Sequence, residues 1–441
     1  MAVETERIPA RRRRPGDRLA VLGERDFRWF FTGYATSLLG SAMAPVAVAF
    51  AVLGGGADGS GGPGGGGPGA GSAGGDGTDL GWVMAARILP VVLVLLAGGV
   101  IADRLGSRRV MLASDGLRGV VQALFSVLLA TGRAPLWAMV ALVAVWGIGE
   151  GLFMPGLGAL VPGLVRRQEL VGDANTLLGM ARSVATVAGP ALAGVITAVW
   201  GPAVVLAADA ATYGVGAFAL YRLRLAGAAP DGGRESLLAD LRAGWSEFGS
   251  RPWLWITTAH MGLFNLLVWA PFLVLGPLTA QRELGGARAW GAVMAVYGVG
   301  AVLGGLLMLG RRPARPLAVA TVATLGWALP SAALAGGAAL PWVVAGALVA
   351  GVGSAVCGTL YGTTMQRWVP PEALGRVTSF GALGAFALGP VGLAAAGPLA
   401  GRLGTGTVLA LGALWQLGAA VAVLAVPAVR RRPWEGDEEA T

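Results

Sequence analysis

Stretches of about 20 mostly apolar residues recur along the whole chain, and each is long enough to cross a bilayer as a helix. Twelve such runs are legible, at about 27–53, 80–102, 110–131, 136–160, 175–199, 203–222, 253–278, 289–310, 317–336, 341–365, 376–400 and 406–427. A soluble fold cannot absorb them. Of the 441 residues, 55% are apolar and only 13% charged, with a mean hydropathy of +0.67, against about 25% charged in an ordinary soluble domain. The expected class is an all-α polytopic membrane protein.

Arginine sets the orientation. The chain has no lysine, so all 33 basic side chains are Arg. With the N-terminus in the cytoplasm, seven fall in the 1–26 tail, and 25 fall in inner segments altogether. The outer loops hold four: Arg133, Arg282, Arg288 and Arg402. That asymmetry predicts a cell-membrane protein with both termini, 1–26 and 429–441, cytoplasmic. The net charge of +9 is then an attraction to anionic lipid rather than to nucleic acid, because the arginines are spread over short segments. "RRRRPGDRLAVL" imitates an export signal, but Glu24, Arg25 and Asp26 interrupt the apolar run behind it.

Two segments read as non-membrane. Residues 54–78, "GGGADGSGGPGGGGPGAGSAGGDGT", read as a disordered outer loop. Its GxGxxG matches follow from composition, with no strand before them. Residues 223–251 read as a cytosolic linker, where Leu237, Leu238, Leu241 and Trp245 recur at the spacing of an interfacial amphipathic helix. Cys357 is the sole cysteine, which excludes an intrachain disulfide and a cysteine-based metal site. No GxxxxGK[ST] is present, so neither ATP nor another cofactor is expected, and no metal.

The chain repeats itself. "GPALAG" starts at Gly189 and "GPVGLAAAGPLAG" at Gly389; "GGVIADRLGSRRV" ends the second run and "GGLLMLGRRPARP" the eighth. Residues 27–222 and 252–428 therefore read as two six-helix pseudo-repeats. Such repeats point to a transporter with its site between halves that rock against each other.

"GGVIADRLGSRRV" resembles the signature loop of the major facilitator superfamily, G-x-x-x-D-R-x-G-x-R-R, with Gly99, Asp103, Arg104, Gly106, Arg108 and Arg109 in its places. "GPALAG", with Gly189, Pro190 and Gly194, resembles the helix-5 motif of its antiporters. "LVRRQELVGDANTLL", "DAATYG", "LLADLRAGWSEFGSRPWL" and "MQRWVPPEALGRVTS" together resemble the drug-exporter branch that includes macrolide and siderophore exporters. The resemblance covers roughly residues 20–428. It implies the major facilitator fold and a gate at the signature loop. There the carboxylate of Asp103 would meet the N-terminus of the eleventh helix, near Val377 to Ser379, whose free N–H groups favour an anion.

Charges inside the membrane cost on the order of 2.5–3.5 kcal/mol each unless paired or hydrated. Six stand out: Asp115, Glu150 and Asp209, and Arg87, Arg118 and Arg182. Depth along the helices, at about 1.5 Å per residue, pairs Arg87 with Asp209 towards the outside. It groups Asp115, Arg118, Arg182 and Glu150 towards the inside, with Asp115 and Arg118 also i, i+3 neighbours. Glu150 interrupts the glycine-rich "GIGEG". A partly buried carboxylate there is placed to pick up a proton, with Asp115 and His260 as further coupling candidates. Asn265, Tyr361 and Gln366 are candidate cavity donors.

The function expected is secondary active transport: proton-coupled export of apolar or amphipathic small molecules by a monomer. Two alternatives stay open. An importer of a small polar solute would want polar groups in both halves, and the second half is nearly bare. A transport-inactive sensor or scaffold would want a partner domain, and the tails are short.

Overall fold

The computed structural model describes residues 21–54, 77–165, 170–223, 245–246, 248–309 and 311–430. Most of the Arg-rich tail, the Gly-rich segment and the central linker lie outside them, with Leu237, Leu238 and Leu241 of its expected amphipathic helix. So do the side chains of Asp103 and Arg104.

Twelve helices long and apolar enough to cross a membrane are present among the described residues. They are α1 (Arg25–Leu53), α2 (Gly77–Leu105), α3 (Ser107–Ala130), α4 (Leu136–Leu164), α5 (Val171–Trp200) and α6 (Pro202–Arg222). The second half holds α7 (Pro252–Leu284), α8 (Ala287–Met308), α9 (Pro316–Ala335), α10 (Leu340–Trp368), α11 (Pro371–Phe386, then Gly389–Leu403) and α12 (Thr405–Ala425). Helix α2 begins inside the segment expected to be loop, at Gly77. Large apolar side chains such as Trp82, Val120, Trp137, Trp200, Trp342 and Val421 are exposed, as befits surfaces that meet lipid rather than water.

Sequence punctuation sets the ends. Pro202, Pro252, Pro316 and Pro371 each stand in a first turn, where a missing N–H costs nothing. Gly201 and Gly404, at φ +83° and +87°, carry the chain from α5 to α6 and from α11 to α12. Only glycine takes that conformation freely, so these two turns are equivalent points of the repeat. Two irregularities lay beyond hydropathy. Helix α7 widens into π turns at Asn265–Trp269 and Ala280–Leu284, next to Pro271 and Pro277, which cannot complete the ladder. Helix α11 breaks at Ala387 and Leu388, immediately before Gly389 and Pro390.

The packing follows the repeat. In the first half α1 packs on α5 and α6, α2 on α4, and α3 on α4 and α6. In the second half α7 packs on α11 and α12, α8 on α10, and α9 on α10 and α12. Each pair recurs six helices later. The halves meet chiefly through α2 against α11 and α5 against α8, two contacts that the same exchange relates to each other.

Those contacts lie towards the face opposite the one where α1 starts. There one apolar core runs through both halves, including Phe50 and Leu80 with Phe272, Leu275 and Trp290. On the face where α1 starts the core divides. Phe27, Phe30, Met111 and Leu164 belong to one cluster, and Trp253, Leu254, Trp368 and Val377 to another. Among the described residues the halves thus share a core at one face and have separate cores at the other.

The join is tight because it is made by glycine. A Cβ at Gly397 of α11 would lie 2.2 Å from the backbone carbon of Gly77 in α2, and one at Gly291 of α8 would lie 2.7 Å from the carbonyl oxygen of Pro190 in α5. Gly397→Val therefore has to push α2 and α11 apart. In a Cys357→Ser, Thr78→Cys background, it is expected to raise the rate of Thr78→Cys modification by a water-soluble maleimide several-fold; an unchanged rate would mean that the helices part elsewhere.

Candidate functional site

The first half holds a connected polar network within its apolar bundle. Asp115 and Arg118 form an ion pair on α3, with side chains only 2% and 6% exposed. The guanidinium of Arg118 lies between two rings, 4.5 Å from the centroids of Phe153 and Tyr213. The Tyr213 hydroxyl receives the indole N–H of Trp146 at 2.9 Å and shares a 2.9 Å hydrogen bond with Ser41. Trp146 in turn lies under Arg87, whose Cζ is 4.3 Å from its ring centroid. Arg87 then grips Glu150 through Nε and Nη2, at 3.1 and 2.9 Å to Oε2. Arginine's planar fork and its affinity for aromatic faces make this chain of rings and charges possible.

Exposure grades along it. Asp115 and Arg118 are sealed, whereas the Arg87 and Glu150 side chains are 18% and 33% exposed. Glu150 is therefore the most exposed member of the linked pairs. Asp209 is fully buried beside them, accepts the Gln122 amide at 2.9 Å and lies 3.4 Å from the Thr212 hydroxyl.

Several expectations from depth need correction. Arg87 pairs with Glu150 and not with Asp209, because α2 packs on α4 rather than on α6. Arg182 does not join Asp115, Arg118 and Glu150. It is exposed on α5 and, among the described residues, donates to the Tyr34 hydroxyl at 3.4 Å. In place of the expected inner cluster of four stand two ion pairs, Asp115–Arg118 and Arg87–Glu150, bridged by Trp146 and Tyr213.

The second half is built differently. Between α7, α9, α10 and α11 lies a cavity of about 430 Å³. His260, Tyr361 and Gln366 line it, with Thr258, Thr321 and Thr324. Among the described residues no Asp, Glu, Lys or Arg does so. Asn265 is absent from its wall, contrary to expectation. Its amide donates to the carbonyls of Met261 and Ala385, bridging α7 to the turn of α11 that precedes the break. Helix dipoles and backbone needs at a broken helix claim such an amide first. His260 is 7% exposed and its Nε2 is buried without a hydrogen-bond partner. Leaving such a group unpaired costs about 1–3 kcal/mol.

At the signature loop, Gly106 has φ +86° and starts α3. Arg108 donates to the carbonyls of Leu220 and Tyr221 at 2.9 and 2.7 Å, so it caps the end of α6 within its own half. Arg109 is exposed. The expected contact of Asp103 with α11 and the side chain of Arg104 lie outside the described residues, as does the burial of Gly99. In the helix-5 motif, Gly189 and Pro190 are buried; a Cβ at Gly189 would meet Ala42 of α1 at 2.5 Å, and one at Gly194 would meet the Ala287 carbonyl of α8 at 2.7 Å. The motif wedges α5 between α1 and the other half.

Sequence reasoning passed over Gln122, Trp146, Tyr213 and Gln416. Gln416 is fully buried on α12 and donates to Thr324 at 2.8 Å. Its signal was available: a lone amide in an apolar run needs a partner. The hydroxyls of Thr321 and Thr324 gave no such signal, because each donates to a carbonyl of its own helix. Among the described residues no three His, Cys, Asp or Glu gather as a metal site would require.

Two six-helix bundles, joined at one face and carrying buried polar groups in their interiors, define a polytopic membrane transporter. The chain belongs to the Major Facilitator Superfamily, whose family model matches residues 29–393. It is 28% identical over 400 residues to the multidrug efflux pump Tap of Mycolicibacterium fortuitum, covering 85% of this chain and 94% of that protein. It is 22% identical over 323 residues to macrolide efflux protein A of Streptococcus pyogenes, covering 72% and 79%. Among solved structures it is similar to the nucleoside transporter NupG, with a TM-score of 0.65, 15% identity and coverage of 92% and 100%. An auto-inhibited POT family peptide transporter gives a TM-score of 0.69, 13% identity and coverage of 92% and 97%. The solved structures share the fold; the two efflux proteins are the relatives that match the expected drug-exporter branch.

Proposed function

We propose that this chain is a secondary active transporter that expels apolar or amphipathic small molecules from the cell in exchange for protons. The observation that carries the reading is the divided core. Halves whose described residues share a core at one face and divide at the other leave that second face for a substrate, and the symmetric packing offers an alternative arrangement with the faces exchanged. The relatives' names supply the direction and the substrate class. The uncharged cavity in the second half agrees with apolar cargo, and the exposure of Glu150 agrees with a role as proton carrier.

In this reading the coupling is a competition. Deprotonated Glu150 holds Arg87; protonation releases it, and Arg87 falls back on Trp146. Because α2 carries Arg87 and packs on both α4 and α11, the state of the pair bears on one of the two contacts that join the halves. The direct test compares accumulation of a panel of amphipathic drugs in cells with and without the protein, each with and without a proton uncoupler. Lower accumulation that the uncoupler abolishes is expected. Equal accumulation across all four would overturn export, and export that ignores the uncoupler would overturn the proton.

Two further outcomes check the frame. The distribution of arginine assigns 54–78 to the outside. In a Cys357→Ser background, Ser60→Cys is expected to react with an impermeant thiol reagent in intact cells, and labelling only after lysis would invert the topology. If Asp103 latches the halves against the N-terminus of α11, Asp103→Asn removes a charge–dipole attraction worth about 0.3–1 kcal/mol. A several-fold slower export at normal expression is expected, and a normal rate would remove the latch.

A further inference from the structure

We propose that the cavity between α7, α9, α10 and α11 is a binding site for an uncharged aromatic or alicyclic group carrying a carbonyl or hydroxyl, anchored by a hydrogen bond to His260. The inference rests on the export reading and names the part of the cargo that the second half would hold.

Three observations converge. The first is the orphan. His260 lines the cavity, is 7% exposed and makes no hydrogen bond among the described residues. Its Nε2 is enclosed and its ring is set against Trp415 with centroids 5.9 Å apart, so the nitrogen that meets a ligand is Nδ1. A neutral imidazole has one N–H and one bare nitrogen, so it can give a hydrogen bond to a carbonyl or take one from a hydroxyl. The second is the competition around it. The hydroxyls of Thr257, Thr321 and Thr324 already donate to backbone carbonyls, and Thr324 also accepts from Gln416. Their donors are spent, which leaves His260, Tyr361, Gln366 and Thr378 among the described wall residues, and of these four His260 is the buried one. Tyr361 itself lies 3.4 Å from Thr258, a weak engagement.

The third observation is the wall. Met261, Met365 and Phe386 line the cavity with alanines and Leu317, and among the described residues no formally charged side chain does so. A charged ligand would lose its hydration there without a counterion, whereas methionine sulfur favours aromatic rings. The volume of about 430 Å³ falls at the small end of the range for small-molecule sites, about 300–1,000 Å³. It suits one ring system rather than an entire large drug.

Benzophenone is the probe: an uncharged diaryl ketone that inserts into C–H bonds when irradiated, those of methionine above all. The full-length protein, purified into lipid nanodiscs, is irradiated with benzophenone and its adducts are mapped by mass spectrometry. Parallel samples receive 4-benzoylbenzoate, an anion, or (4-benzoylbenzyl)trimethylammonium, a cation. Adducts of the uncharged ketone are expected on Met261 and Met365, with much weaker labelling there by either ion. His260→Phe keeps the ring against Trp415 and removes the nitrogens; it is expected to lower both adducts at least about fivefold, the scale of one hydrogen bond. His260→Gln, which restores a donor and an acceptor, is expected to recover most of the yield.

Equal labelling of the parent and His260→Phe would overturn the anchor. Equal labelling by the ions would overturn the preference for uncharged groups, and adducts confined to lipid-facing methionines such as Met180 would overturn the site. The readout needs no gradient. Labelling as expected in a protein that shows no uncoupler-sensitive export would sink the export reading and leave the site standing, and the converse result would do the reverse.

Discussion

Glu150→Gln is expected to abolish uphill export and leave the protein folded. With a proton gradient of one pH unit, exchange of one proton sustains about a tenfold concentration ratio, since each unit is worth about 1.4 kcal/mol. Proteoliposomes containing the parent are expected to approach that ratio, and those containing Glu150→Gln to stop near equality. The substitution leaves Arg87 without its carboxylate, but Arg87 keeps the Trp146 ring at 4.3 Å and is 18% exposed, so the structural cost is modest. The double variant Arg87→Gln, Glu150→Gln separates the alternatives. It removes the pair without stranding a charge. If the pair only ties α2 to α4, the double variant transports uphill like the parent; if Glu150 carries the proton, it does not.

Asp115→Asn is expected to produce the largest loss of stability. Arg118 is 5% exposed, its Nε already lacks a partner, and Asp115 is its ion-pair partner within α3. Removing one member of a buried pair costs about 3–5 kcal/mol, most of it from the charge left behind. Thermal unfolding of the purified protein is expected to move well below that of the parent and of Glu150→Gln. Arg118→Met in the same chain is expected to recover much of the loss, because methionine fills the slot between Phe153 and Tyr213 without a charge to solvate. A parental melting temperature for Asp115→Asn alone would mean that the two rings suffice to hold Arg118.

The helices and their repeat were legible because they are properties of single runs: length, hydropathy and the recurrence of short motifs. The Asp115–Arg118 pair was legible for the same reason, since both residues lie on one helix at a spacing that brings them together. Arg87 and Glu150 were not paired in advance because depth fixes one coordinate of a side chain only. The direction in which it points, and which helix stands opposite, come from packing that no single run contains. The same limit explains Arg182, whose depth suits Glu150 while its face of α5 looks elsewhere. The cavity was still less visible, being the space left by small residues on four helices. His260 was noticed as the sole histidine, but the absence of any partner for its Nε2 is a fact of the assembled bundle. The break in α11 falls just before Gly389 and Pro390, but 376–400 reads as one run, and neither the break nor the use of Asn265 to bridge to it was foreseen.

The glycine contact between α2 and α11 also sets a scale of movement. Gly77 and Gly397 touch at the extreme end of α2, a helix of 29 residues and so about 43 Å long. A body pivoting at such a point works as a lever. A turn of about 10° there displaces the opposite end by about 7 Å, wide enough for a ring system to pass, while atoms beside the pivot shift by far less than their own diameter. In the proposed exchange of faces the mouth would be governed by leverage, and the packing at its fulcrum need hardly change for the door to swing.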